Sequence, residues 1–232
     1  MENLARTLKS FLDLFLQSSC PLCQRPADGA LCQYCQREVL SCELSNPSQF
    51  WQGQLPVFAW GVYGGALKRA IAALKYENQP QLAQPLGHWL GSSWLTSKVS
   101  AGKKKLIVVP IPLHAKKLQQ RGYNQAELLA QSFCDFTGLS LQAQGLERMR
   151  ATEAQFGLSP SEREQNLVGA FRLGKKIQAR LPITPVLLVD DIFTTGATGR
   201  AAAQTLQQSG IPVYGLIAIA TTQKAKIAST DL

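Results

Sequence analysis

A chain of 232 residues suits one ordinary domain with an appendage, or two small ones. With 45% hydrophobic and only 17% charged residues it can bury a core, which excludes general disorder, and no apolar run reaches the roughly 20 residues of a membrane span. The 24 Lys and Arg against 15 Asp and Glu leave a net charge of +9, which favours polyanions (nucleic acid, phosphorylated metabolites, an acidic membrane surface) without choosing among them.

Over residues 1–18, Leu4, Leu8, Phe11, Leu12 and Phe15 fall on one helical face and predict a short amphipathic helix packed on the body. Arg6 and Lys9 precede an apolar run, as in a secretory leader, but Phe11–Leu16 is too short and Asp13 interrupts it, so a cytoplasmic location is expected. Five of the six cysteines then crowd together as Cys20, Cys23, Cys32, Cys35 and Cys42, whereas a disulfide scaffold spreads its cysteines. Cys20-Pro-Leu-Cys23 and Cys32-Gln-Tyr-Cys35 are two C-x-x-C pairs with eight residues between them. Each pair can set two thiolates on one ion, and four sulfurs in a tetrahedron make a closed structural Zn²⁺ site. Such a site stabilises a segment too small to fold by its own core and has no open position for catalysis. A redox or free-thiol cluster is the poorer alternative. Cys42 is surplus, either a free thiol or a substitute ligand, and Cys134 reads as core packing in an apolar helix.

Residues 43–54 read as a polar linker, which divides the chain into a cysteine module at 1–45 and a larger domain at 55–232. Val57–Tyr63 is of strand type and ends at Gly64-Gly65. Helical spacing follows over Ala66–Lys75 and again over Gln81–Leu95, and a basic loop ends in Lys103, Lys104 and Lys105. Leu106–Val109 is a short buried strand, Tyr123–Thr137 a helix stopped by Gly138, and residues 139–144 a candidate strand. Val186–Val189 is a fully apolar strand, Gly199–Gln208 a helix stopped by Gly210, and Val213–Ala220 another strand. Strands alternating with helices predict an α/β fold with a mainly parallel sheet covered on both faces.

The segment Val186–Thr198 carries the chemistry. Asp190 and Asp191 follow four apolar strand residues, and a Thr- and Gly-rich loop opens the next helix. In open α/β sheets ligands bind beyond the carboxyl ends of the strands. The loop Thr194-Thr-Gly-Ala-Thr198 can wrap backbone N–H groups and hydroxyls round an anion, aided by the helix N-terminus, with Gly196 allowing close approach or a positive φ. Two acids facing that anion would repel it, so they fit better as acceptors for vicinal sugar hydroxyls, or as holders of a divalent cation through water. A phosphate beside a cis-diol describes a ribose 5-phosphate. The loop lacks the Gly-Lys-Ser/Thr of a P-loop, which disfavours triphosphate hydrolysis.

Upstream, Val108-Val-Pro-Ile-Pro-Leu-His114 ends a strand with two prolines, and Lys116, Lys117 and Arg121 follow. These cations suit a pyrophosphate, and equally suit the surface of an ordinary basic helix. His114 reads as structural rather than as a base. Arg148, Arg150, Thr152, Gln155, Arg163, Asn166 and Arg172 make residues 147–172 a candidate mobile lid, or a solvated loop.

Val186–Thr198 resembles the thirteen-residue signature of type I phosphoribosyltransferases. That resemblance implies that Asp190 and Asp191 take the ribose of phosphoribosyl pyrophosphate (PRPP) as the catalytic acid pair. It implies also that Thr194, Thr195, Gly196, Ala197 and Thr198 hold the 5-phosphate, and that Mg²⁺ bridges pyrophosphate and sugar. The wider order is similar to the ComF family of competence proteins across nearly the whole chain. It runs from the four cysteines through Tyr63-Gly-Gly65, Leu74-Lys-Tyr76, Val109-Pro-Ile-Pro-Leu-His114 and Arg121-Gly-Tyr-Asn-Gln125 to the Arg-rich segment and the acid pair. The family implies a zinc module on a phosphoribosyltransferase domain, a link to incoming single-stranded DNA and the DNA-uptake proteins, and leaves catalysis open. Lys103–Lys105, with Trp51 or Trp60 for stacking, are the candidate DNA contacts. Many relatives carry a further cysteine pair where this chain has only Cys42, which implies a single metal site here.

Overall fold

The computed structural model describes residues 18–102, 105–150, 167 and 169–223. The amphipathic helix expected before Ser18 lies outside the described residues, as do Lys103, Lys104, Thr152, Gln155, Arg163 and Asn166.

A five-stranded sheet forms the centre, with β3 (Val57–Val62), β9 (Val213–Thr221), β8 (Val186–Phe193), β4 (Ile107–Pro110) and β5 (Ser140–Leu141) side by side in that order. Every pairing within it is parallel. The expected α/β architecture is therefore present. Its middle strands read as continuous apolar runs because helices cover both faces. On one face Leu187, Val189, Ile217 and Ile219 pack with α2 (Gly65–Tyr76), α3 (Ala83–Thr96) and α5 (Gln125–Thr137) through Leu67, Ile71, Leu86, Leu90 and Phe133. On the other, Val186, Leu188, Leu216 and Ala218 pack with α7 (Ala197–Gln208) through Ala202 and Leu206. Helices α3 and α5 approach closely at Gly87, where an added Cβ would sit 2.5 Å from the Ser132 Cβ. There the Ser132 hydroxyl donates to the Gln84 carbonyl at 2.8 Å.

The cysteine module is a small hairpin, β1 (Ser18–Ser19) against β2 (Pro26–Ala27), followed by α1 (Gln33–Leu40). Cys20, Leu31, Cys35 and Val39 join the same apolar cluster as Ile71 and Leu86, so the module packs on the body of the chain.

The segment read as a linker is a packed strap. Phe50 bridges to Val57, and Trp51 lies 5.6 Å from Trp94 and 5.2 Å from Tyr214 between ring centroids. Trp60 is 1% exposed on β3 and stacks on Trp89. Trp60 is thus not placed to stack on a nucleic-acid base, and the partly buried Trp51 packs on the aromatic core. The Arg-rich region also has structure at its ends. Strand β6 (Leu146–Arg148) pairs antiparallel with β7 (Phe171–Leu173), and the Arg172 guanidinium meets the Glu147 carboxylate at 2.6 Å. Two further short helices, α4 (Ala115–Arg121) and α6 (Lys175–Ala179), complete the described chain. His114 caps α4, its Nδ1 accepting from the Lys116 N–H at 3.3 Å, which is a structural role. Among the described residues no helix is long and apolar enough to cross a membrane.

Candidate functional site

Strand β8 runs through Phe193, so the two acids stand inside the strand rather than after it, with Asp190 opposite Ala218 of β9. Alternation along a strand then sends them to opposite faces of the sheet. Asp191 follows Leu187 and Val189 towards α2 and α5, and Asp190 follows Val186 and Leu188 towards α7.

On the first face the Lys75 ammonium, at the end of α2, meets the Asp191 Oδ2 at 2.8 Å, with side-chain exposures of 14% and 6%. The Gln125 amide, from the first turn of α5, donates to the same oxygen at 2.6 Å. Burial works against the charge on Lys75, yet the neighbouring carboxylates, Asp191 foremost and Asp190 after it, together hold the ammonium pKa above its ordinary value. Arg121 donates in turn to the Gln125 Oε1 and lies over the Tyr76 ring, 5.3 Å from its centroid. The Tyr123 hydroxyl donates to the Leu74 carbonyl at 2.6 Å, and the Asn124 amide donates to the Ile111 carbonyl at 3.0 Å. These bonds tie the start of α5 to the ends of both α2 and β4. Lys117 is lowered by burial and by repulsion from Arg148, Arg121 and Lys75, so these four cations share one neighbourhood. Lys116 and Lys117 are both solvent-exposed on α4.

On the second face Asp190 and the residues from Thr194 to Thr198 line one small cavity beneath α7. Gly196 has φ +78°, and an added Cβ would stand 2.7 Å from the Phe193 ring and 2.9 Å from Arg200. Only glycine takes that backbone here without strain. The loop carbonyls that would repel an anion are engaged, that of Thr194 by the Gln223 amide at 2.8 Å and that of Thr195 by the Arg200 guanidinium at 2.9 Å. Gly196, at the N-cap of α7, brings no side chain to cap the helix, and the Ala197 N–H donates to the Thr195 Oγ1 at 3.5 Å. A helix start with so little side-chain capping suits a phosphate.

Burial and the neighbouring Asp191 charge push the Asp190 carboxyl up to about 7, against the pull of Lys75, the Asp191 N–H and Arg148. With the folded pKa above the ordinary 3.8, the folded chain holds a proton that the unfolded chain releases across that window. Stability therefore falls as pH rises from about 4 to about 7. Asp190→Asn is expected to be more stable than wild type at pH 8, by on the order of 2–4 kcal/mol. It should also flatten that slope, as urea unfolding at several pH values will show.

Sequence reasoning placed neither Lys75 nor Gln125 in the site. The signal for Lys75 was present: it continues the buried stripe of Leu67 and Ile71 at four-residue spacing, where a solvated lysine does not belong. Arg148, read as part of a lid, lies near Asp190 and takes part in its electrostatics.

The Sγ atoms of Cys20, Cys23, Cys32 and Cys35 all lie within 4.8 Å of one another, a grouping that could hold one metal ion. The turn after Cys20 is closed by the Gln24 N–H on the Cys20 carbonyl at 2.8 Å, with Gln24 at φ +62°. The Cys35 N–H points at the Cys32 Sγ at 3.5 Å and, with the neighbouring thiols, lowers that thiol to about 7 against the effect of burial. Burial raises Cys35. These four residues can therefore hold a metal ion. Cys42 stands apart, its Sγ 3.5 Å from the Glu38 carbonyl and 3.7 Å from that of Gly64. Cys134 is buried in α5, and burial pushes it up to about 12, as suits a packing role.

No model of a known protein family matches the chain. It is similar to the DNA utilization protein YhgH of Salmonella typhimurium, 31% identical over 196 residues that cover 83% of this chain and 79% of that one. It is similar also to Competence protein F of Haemophilus influenzae, 31% identical over 192 residues and 81% of each chain. Competence protein ComFC of Bacillus subtilis is 25% identical over 213 residues, 90% of this chain and 80% of the relative. Among solved structures, a glutamine PRPP amidotransferase from B. subtilis complexed with ADP and GMP overlaps with TM-score 0.39 and 15% identity, over 66% of this chain and 30% of that one, too loosely to argue from. The two relatives at 31% identity are matched over about four-fifths of their own length, and the chain belongs to the ComF family of competence proteins.

Proposed function

We propose that the chain binds PRPP or a related ribose phosphate and assists the uptake or processing of single-stranded DNA in natural transformation, in the cytoplasm. The observation that carries the ligand reading is the conjunction on β8. Asp190 shares a cavity with the Thr194–Thr198 loop, while Lys75 and Arg148 act on the acid pair and Lys117 and Arg121 share the neighbourhood of those two cations. In this reading the loop and the α7 amides take the 5-phosphate and Asp190 accepts from the ribose hydroxyls. Asp191, held by Lys75 and Gln125, fixes the position of its neighbour. Lys117 and Arg121 meet the pyrophosphate, with Lys116 at its outer edge. Mg²⁺, held by Asp190 and the pyrophosphate, would offset the ligand's charge. Residues 1–45 serve as a module closed by Zn²⁺ on Cys20, Cys23, Cys32 and Cys35, and residues 55–232 as the phosphoribosyltransferase-like domain. The names of the relatives support the DNA role, as does the net charge of +9.

A second reading, transfer of phosphoribosyl from PRPP to a nitrogenous acceptor in nucleotide metabolism, is favoured by those same four cations. They would stabilise the charge of a departing pyrophosphate. Incubation with PRPP, Mg²⁺ and a panel of nucleobases separates the two. Salt-sensitive oligonucleotide binding without pyrophosphate release is expected, and acceptor-dependent release would establish the transferase instead.

A further inference from the structure

A second groove, of about 800 Å³, runs between the cysteine module and the start of α3. The module contributes Arg25, Tyr34 and Arg37 to its lining, and α3 contributes Gln84 and Trp89. Tyr34 is 50% exposed, on the turn of helix between Cys32 and Cys35. The Arg25 guanidinium lies over its ring, 4.9 Å from the centroid, and sets its orientation. Trp89 is only partly buried and is held from behind by stacking on Trp60, with ring centroids 5.8 Å apart and planes 19° from parallel. The groove thus presents two oriented aromatic side chains with two arginines, against a single lining carboxylate, Asp28.

Singly exposed aromatics are ordinary, but aromatics and guanidinium groups gathered in one groove form a recognisable device. An aromatic face stacks on any base, and arginine takes a phosphate or stacks as well. A double helix keeps its base faces covered, so such a groove suits a single strand. We infer that this groove binds single-stranded nucleic acid, with Tyr34 and Trp89 stacking on bases and Arg25 and Arg37 meeting phosphates. The inference rests on the DNA reading above and gives it a location separate from the ribose-phosphate site.

The test is anisotropy of a fluorescein-labelled oligothymidylate with the full chain carrying its metal. Tyr34→Ala should weaken binding at least about fivefold and Tyr34→Phe should restore it. Removing both arginines as Arg25→Ala/Arg37→Ala should lower the slope of log affinity against log salt by about 1.4. Metal content and PRPP binding of each variant should match wild type, which separates the groove from the fold. Wild type that ignores the oligonucleotide would overturn the DNA reading itself. Wild-type binding untouched by Tyr34→Ala and by the arginine pair would overturn the groove while leaving that reading standing. Displacement of the oligonucleotide by polyglutamate at equal charge concentration would also overturn it, in favour of an acidic protein partner.

Discussion

Lys75→Met is expected to destabilise the protein by about 3–5 kcal/mol, the range for removing one partner of a buried ion pair. The Asp191 side chain is 6% exposed and would keep one amide donor, that of Gln125, but among the described residues no cation within salt-bridge distance. Its charge has few ways out. Either Asp191 takes up a proton, or water enters between α2 and α5, and both cost packing or solvation. Urea unfolding at neutral pH measures the loss. Lys75→Met/Asp191→Leu discriminates causes: if the cost is the orphaned charge, the double variant should recover most of the stability. Ribose-phosphate affinity should be low in both variants, because each breaks the Lys75–Asp191 pair beside Asp190.

Cys35→Ser should cost more locally. Structural Zn²⁺ in small modules contributes roughly 10–16 kcal/mol of apparent binding energy, and that energy is also folding energy. Three thiolates and a hydroxyl retain only part of it. The damage should spread, because Cys35 and Val39 share an apolar cluster with Ala66 and Ile71 of α2. Metal analysis is expected to show less than stoichiometric zinc, with a lowered melting temperature and early proteolysis within the module. Cys42→Ser is the control and should retain full metal, since its Sγ faces the Glu38 and Gly64 carbonyls rather than the cluster. Equal metal loss in both variants would mean that the ligand set is wrong.

Where local chemistry decides structure, the sequence was readable. The parallel sheet announced itself in Val186–Val189 and Val213–Ala220, since strands buried on both faces need unbroken apolar runs. The spacing of the two C-x-x-C pairs was likewise sufficient to group Cys20, Cys23, Cys32 and Cys35. Distance along the chain hid the rest. Lys75 reaches Asp191 across more than a hundred residues, and nothing short of the tertiary packing of α2 on the sheet brings them together. Trp51, in a segment that reads as a polar linker, and Trp60, in a strand-type stretch, were both candidate stacking groups. Yet Trp94 and Tyr214, supplied by α3 and β9, enclose Trp51, and Trp89 covers Trp60. The boundary of β8 was misjudged because two charged residues normally end a strand. Here Lys75, on one face, and the cavity under α7, on the other, accommodate them inside it.

Calorimetric titration of PRPP with Mg²⁺ into the metal-loaded protein, with Asp190→Asn as the paired variant, decides whether β8 carries a ribose-phosphate site. Saturable one-to-one binding to wild type is expected, with at least a roughly tenfold loss in Asp190→Asn, a variant expected to be the more stable protein at pH 8. No heat of binding to a folded wild type, or equal affinity in the two proteins, would contradict that assignment.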